Sequence, residues 1–165
     1  MPKTQFGTVV SLPLSETFNL VSDFQSFKDI LPIIETVEVL EQKGESAIVK
    51  FKFHNQGPLA LLARQFGFAT DEQISNIDWD RDRRISARSI KGPLKSMFMN
   101  CTMEPGATGG TKVKLDIEFD TGFGWLANNA ALFFITAQAA PLTRNPDAEI
   151  AEILKRSQQR ICPPS

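Results

Sequence analysis

Groups able to do chemistry are sparse in this chain, and their spacing narrows the options. His54 is the single histidine. It continues an alternation in which Val49, Phe51 and Phe53 take one side and Lys50, Lys52 and His54 the other. It therefore reads as a solvated strand residue rather than a general base. No Cys/His/Asp cluster has metal-ligand spacing, and neither a metal nor a cofactor is expected. The run GATGG, Gly106 to Gly110, lies between two alternating segments and reads as a hairpin turn, not a phosphate loop. Asp23 and Glu35 adjoin predicted short helices, where a carboxylate could act as acid or base. Neither has a second titratable partner at recognisable spacing, so no residue is assigned a catalytic role.

The arginines carry more than one reading. Arg81, Arg83, Arg84 and Arg88 interleave with Asp78, Asp80 and Asp82. This pattern suits a solvated hairpin tip, or a docking surface for a protein or RNA. Arg64 and Arg88 have another option, projecting into a cavity to orient a ligand carbonyl. Met97, Met99 and Met103 form a soft stripe on one strand face, suited to packing or to an adaptable apolar wall.

These groups sit in a chain of 165 residues, enough for one domain with a real core, residues 1–165. The 18 basic residues nearly balance the 19 acidic ones, which gives no general electrostatic reason to bind DNA. Thirteen Phe and no Tyr make the interior ring-rich without hydroxyls. Cys101 and Cys162 do not make a secreted disulfide framework, and the N-terminus lacks a signal-peptide core, so a cytoplasmic location is expected. The terminal Cys-Pro-Pro-Ser has proline at both aliphatic positions of a prenylation box, and that reading is rejected. Thr121 to Leu142 is uncharged. Asn128, Asn129, Thr136 and Gln138 interrupt it, and no cationic cluster flanks it, so a transmembrane role is set aside.

The positioning elements follow from periodicity. Val113, Leu115, Ile117 and Phe119 alternate with charged residues, predicting a half-buried strand over 111–120. Met97 to Met103 predicts its hairpin partner. Further strands are expected at 5–12, 34–42, 47–55, 66–79 and 83–91. Ser15 is taken as the N-cap of a short helix through Val21, and a second short helix is expected over 26–31. A helix from about Gly124 to Gln138 is expected to pack across the sheet through Leu126, Ala130, Phe133, Phe134, Ala137 and Ala140. A last helix, over 146–161, carries an apolar stripe of Ile150, Ile153, Leu154 and Ile161. Strands followed by helices indicate an α+β domain with helices on one sheet face.

Three segments carry a resemblance to a known family. LVSDFQSFKDILPIIETVEVLE (20–41), RRISARSIKGPLKSM (83–97) and GGTKVKLDIEFD (109–120) resemble the opening segment, the Gly-Pro bend and the last strand of the START-like (SRPBCC, helix-grip) superfamily. Within it, the polyketide cyclase and coenzyme Q-binding branch is nearest, and the resemblance spans residues 3–140. The resemblance implies a curved antiparallel sheet of six to seven strands wrapped around a C-terminal helix, with two short helices after the first strand. The chain departs from the family in two places: the strand after the Gly-Pro bend has no Trp, and Pro141 with TRNP divides the C-terminal region. The first C-terminal helix, being more apolar, is expected to be the gripped one. The implied function is binding of a hydrophobic small molecule (a quinone, isoprenoid, lipid or polyketide-like compound) in a cavity between sheet and helix. Its expected lining is Phe24, Phe27, Leu31, Phe51, Phe53, Met97, Met99, Ala130, Phe133, Phe134 and Ala137. The alternatives are a cyclase- or aromatase-like enzyme, and a ribosome- or protein-associating factor using the Arg81–Arg88 surface.

Overall fold

The structure is a computed structural model and is described for residues 2–31, 34–54 and 72–161, without the side chains of Phe134, Gln138 and Ile161. Among the described residues seven strands are formed: β1 (Lys3–Val10), β2 (Ile34–Lys43), β3 (Ser46–Phe53), β4 (Glu72–Asp80), β5 (Arg84–Lys91), β6 (Ser96–Pro105) and β7 (Thr111–Asp120). They make one antiparallel sheet in the order β1-β7-β6-β5-β4-β3-β2. Strands β2 to β7 thus pair in chain order, and β1 closes the far edge against β7. Register irregularities at Ile34/Thr36, Val39/Glu41 and Ile74/Ser75 mark bulges, which bend the sheet into a curve.

Alternation decides what faces inward. One row across the sheet runs Phe6, Leu115, Cys101, Ile85 and Trp79; the next runs Thr4, Ile117, Met99, Ala87, Ile77 and Ala47. The inner face is covered from the chain's own second segment. Helix α1 (Leu14–Ser22), a single 3-10 turn (Phe24–Ser26) and α2 (Phe27–Ile30) deliver Phe18, Phe24 and Phe27 into a core with Val49, Phe51, Ile77, Ile85, Cys101 and Met103. Phe27 meets Phe51 edge-on at 5.7 Å, a geometry favoured by the ring quadrupoles.

Several boundaries differ from expectation for local reasons. Helix α1 is preceded by Pro13 and has no side-chain cap, so Ser15 lies inside its first turn. The buried Thr17 hydroxyl turns back to the Leu12 and Pro13 carbonyls and lies 3.1 Å from the Thr111 hydroxyl. The second predicted helix is split, because Asp23 accepts from the Gln25 N–H and nucleates the 3-10 turn first. Strand β1 stops at Val10, since the next backbone N–H, of Ser11, is held by Asp147 at 2.8 Å. Only the 72–79 part of the predicted 66–79 strand lies in the described residues.

Two helices end the chain: α3 (Trp125–Arg144) and α4 (Pro146–Ile161). Pro141 does not stop α3. It sits in the last turns, and its own carbonyl accepts from the Asn145 N–H at 3.1 Å. Helix α3 runs along β1, where the Thr8 hydroxyl donates to the Leu142 carbonyl at 3.2 Å. The predicted inward face of α3 is corrected here. Phe133 is 79% exposed, Trp125 75% and Leu126 60%, and Ala137 is exposed too. The covered side is centred instead on Ala127, Ala131, Ile135 and Leu142. A helix apolar on every side has no periodic signal to choose its buried face. Among the described residues no helix is long and apolar enough to cross a membrane.

Helix α4 is tied at both ends. Asp147 accepts from the Ser11 backbone N–H and hydroxyl, both at 2.8 Å, which holds its carboxyl below the usual carboxylate range. At the other end Arg160 donates to Asp29 at 3.2 Å and lies 3.6 Å from Asp23, and Arg156 donates to the Asp29 carbonyl at 2.9 Å. The second C-terminal helix, not the first, therefore joins the β1 edge to the short helices, with Ile153 fully buried beneath it.

A groove under the short helices

The strand order places the tips of two hairpins, β2–β3 and β4–β5, beside α1 and the 3-10 turn. Between them lies an open groove of about 420 Å³. Phe18, Asn19, Ser22 and Asp23 come from α1 and its end, and Phe24 and Gln25 from the 3-10 turn. The opposite wall is Val39, Gln42 and Glu45 of the first hairpin, with Trp79 and Arg81 of the second. Trp79 alternates inward with Ile77, and its ring meets Phe24 at 5.8 Å and 65°. Gln25 bridges the walls by donating to the Val37 carbonyl at 3.0 Å.

The groove is thus ring-lined within and polar at its rim. A lining of this kind suits a body that is apolar on one side and polar on the other. Of its two carboxylates, Glu45 is exposed at the hairpin tip and Asp23 is engaged. Asp23 accepts from Gln25 and from the Ser26 hydroxyl and also meets Arg160, so it holds the turn together. Glu35 lies outside the groove and pairs with Lys52 at 3.7 Å.

Of the residues expected from sequence, Phe24 lines this groove. Phe27 and Phe51 are buried in the core, and Leu31, Phe53 and Met99 pack against that core half-buried. Met97 and Met99 do face inward on β6, opposite Phe119 and Ile117 of β7, in a strip that is only partly covered. Ala130 is half-buried and Ala137 and Phe133 are exposed. The side chain of Phe134, like Arg64, lies outside the described residues. Arg88 is corrected: with Ile85 and Ala87 inward, it projects from the outer face and lies over the Phe98 ring at 5.5 Å. It is a cation–π pair on the surface, not a cavity group. Arg81 stands at the groove, Arg83 pairs with Asp80 at 3.9 Å, and Arg84 is on the outer face, so the arginine cluster is spread over three settings.

Sequence reasoning missed Val39, Gln42, Glu45 and Trp79. The signal was available for Trp79, since the Ile77–Trp79 alternation puts both on one face. It also missed a buried polar patch on the inner face. There Gln73 donates to Ser89 at 2.7 Å and lies 3.4 Å from Ser75. Gly92 leaves Gln73 its room: a Cβ there would come within 2.5 Å of the amide oxygen. Burial pushes the Cys101 thiol up to about 11, so it is protonated and unreactive at neutral pH. His54, at the end of β3, is exposed. Among the described residues no group of three or more His, Cys, Asp or Glu side chains is placed to hold a metal.

The family described as polyketide cyclase / dehydrase and lipid transport matches residues 10–144. The chain belongs to that family. The match ends just before α4. Comparison with curated proteins finds no match. Among solved structures, the Zhui aromatase/cyclase from Streptomyces sp. R1128 is similar at 20% identity and TM-score 0.65, covering 98% of this chain and 96% of that one. A START superfamily protein from Mycobacterium smegmatis is similar at 12% identity and TM-score 0.59, over 96% and 98%. A protein from Thermus thermophilus matches at 15% identity and TM-score 0.63, over 94% and 96%. At these identities the likeness is one of fold: the helix-grip α+β architecture, with the resemblance seen in the sequence upheld. Membership places the chain on a fold that serves hydrophobic ligands.

Proposed function

We propose that this protein binds an amphipathic small molecule, in the quinone, isoprenoid, lipid or polyketide-like class, in the groove between α1 and the two hairpin tips. The observation that carries this is the pairing of Phe24 with Trp79 beneath a rim of Asn19, Gln25 and Gln42. A volume of about 420 Å³ falls within the usual range for small-molecule sites. The ligand's flat or branched apolar part lies against the rings, and its oxygens meet the amides. Binding rather than catalysis is favoured, because Asp23 is committed to Ser26, Gln25 and Arg160.

Trp79 reports on the site. In a Trp125→Phe background it is the single tryptophan, and titration with a short-chain quinone, farnesol, oleate and a flat polyphenol should change its emission for at least one of them. Val39→Phe, placed at a half-exposed wall position, should fill the groove and abolish that response without adding a second tryptophan or changing the melting temperature. Unchanged binding to the filled groove would place the ligand elsewhere.

A further inference from the structure

Helix α3 presents an exposed stripe made of Trp125, Leu126, Asn129, Phe133, Thr136 and Ala137. No charge occurs anywhere from Thr121 to Thr143. Contiguous exposed apolar surface of this kind marks an interaction site. We propose that it is a self-association surface, on which a second copy of this chain packs its own α3 in antiparallel orientation.

Three observations select this occupant. The first is self-complementarity. An antiparallel pair centred on Phe133 sets Leu126 opposite Ala140 and Asn129 opposite Ala137 of the other copy. Bulky positions then meet small ones, and Phe133 lies at the two-fold axis, as an isologous contact requires. The second is area. Large rings bury roughly 150–250 Å² each. At the exposures of Trp125, Leu126 and Phe133, these three side chains alone supply about half of the ~800 Å² per partner that a stable interface needs. The third is charge. A helix lying on an anionic membrane needs Lys or Arg along its polar flank. Here the one cation of α3, Arg144, lies at its C-terminal end, away from Phe133, and Lys95 near its start is engaged with Asp120 at 3.5 Å. An uncharged face neither repels its own copy nor attracts a charged partner.

Sedimentation equilibrium of the full chain from about 1 to 200 μM tests this, with Phe133→Glu as the variant. Phe133 is 79% exposed, so the variant should keep its circular dichroism and melting temperature. The expected result is a reversible dimer whose dissociation constant rises at least tenfold in the variant. Phe133→Cys in a Cys162→Ser background should crosslink to itself under mild oxidation, and this decides the matter if the Glu variant fails to fold. A monomer throughout the range overturns the proposal, as does a dimer that survives Phe133→Glu. Flotation of the monomer with phosphatidylcholine–phosphatidylglycerol vesicles also overturns it, assigning the stripe to a lipid surface.

Discussion

The Arg160 guanidinium meets the Asp29 carboxylate across 3.2 Å and so fastens the last helix to the second short helix of the chain. Asp29 is nearly buried, at 8% side-chain exposure, whereas a quarter of Arg160 is in water. Removing the cation leaves a buried carboxylate without its partner. Arg160→Ala should therefore lower stability in urea unfolding by about 1–2 kcal/mol, the low end for a charged hydrogen bond because of solvent screening. Arg83→Ala, whose partner Asp80 is itself exposed, should change it by less than about 0.5 kcal/mol. Equal effects of the two would show that burial of Asp29 does not matter. Arg160 also reaches Asp23 of the groove, so hydrogen exchange across residues 23–31 should quicken in the first variant only.

The elbow between β7 and α3 is held by two side chains: Asp120, which accepts from the Gly122 N–H at 2.9 Å, and Asn128. Asn128 Oδ1 accepts from the Thr121 N–H at 2.8 Å and from its hydroxyl at 2.7 Å, and Thr121 is buried. Asn128→Ala strands both donors and should cost about 1–3 kcal/mol. A loss within error in thermal unfolding would mean that water replaces the amide.

Stability should fall at high pH through Cys101. Its thiol is raised from 9.0 to about 11 in the folded chain by burial. The unfolded chain therefore ionises first, and the contribution present below pH 9 is lost as the pH rises toward 11. Over that interval the drop should be about 2 kcal/mol, and Cys101→Ala should remove it. Alkylation by iodoacetamide at pH 8 should be slow until denaturant is added.

Close packing of backbone on backbone predicts a sharp contrast between two glycines. A Cβ at Gly110 would stand 2.2 Å from the Val10 carbonyl oxygen, while one at Gly7 meets nothing within 4 Å. Gly110→Ala should cost at least about 2 kcal/mol, the range of backbone strain. Gly7→Ala, within β1, should be neutral or stabilising by roughly 0.5 kcal/mol. Melting temperatures that move together in the two variants would contradict this.

What the sequence disclosed tracks the kind of signal each element carries. Val113 to Phe119 alternate against charges and Met99 to Met103 against Asn100 and Thr102, so strand identity and inward face were both readable. Arg88 follows the same rule, and the parity of Ile85 and Ala87 sets it outside; its proposed cavity role set that parity aside. Helix α3 was found, but its orientation was not. Leu126, Phe133 and Ala137 on one side are as apolar as Ala127, Ala131 and Ile135 on the other, and only contact with β1 separates them. The groove was least legible. Phe18, Val39, Gln42 and Trp79 come from three distant segments that meet only after the hairpins form, and strict alternation would set Val39 and Gln42 on opposite faces; the bulge at Val39/Glu41 brings them to the same side.

The strand order has a consequence for how the chain reaches this structure. Strands β2 to β7 each pair with their sequence neighbour, so that part can zip up strand by strand in chain order. Among the described residues strand β1 pairs with β7 alone, from Lys3↔Glu118 to Val10↔Thr111, more than a hundred residues away. Closing so long a loop is entropically late, so β1 is among the last elements to find its place. Until then the edge of β7 has its hydrogen-bonding groups free, and a nascent chain is most open to pairing with the wrong strand there.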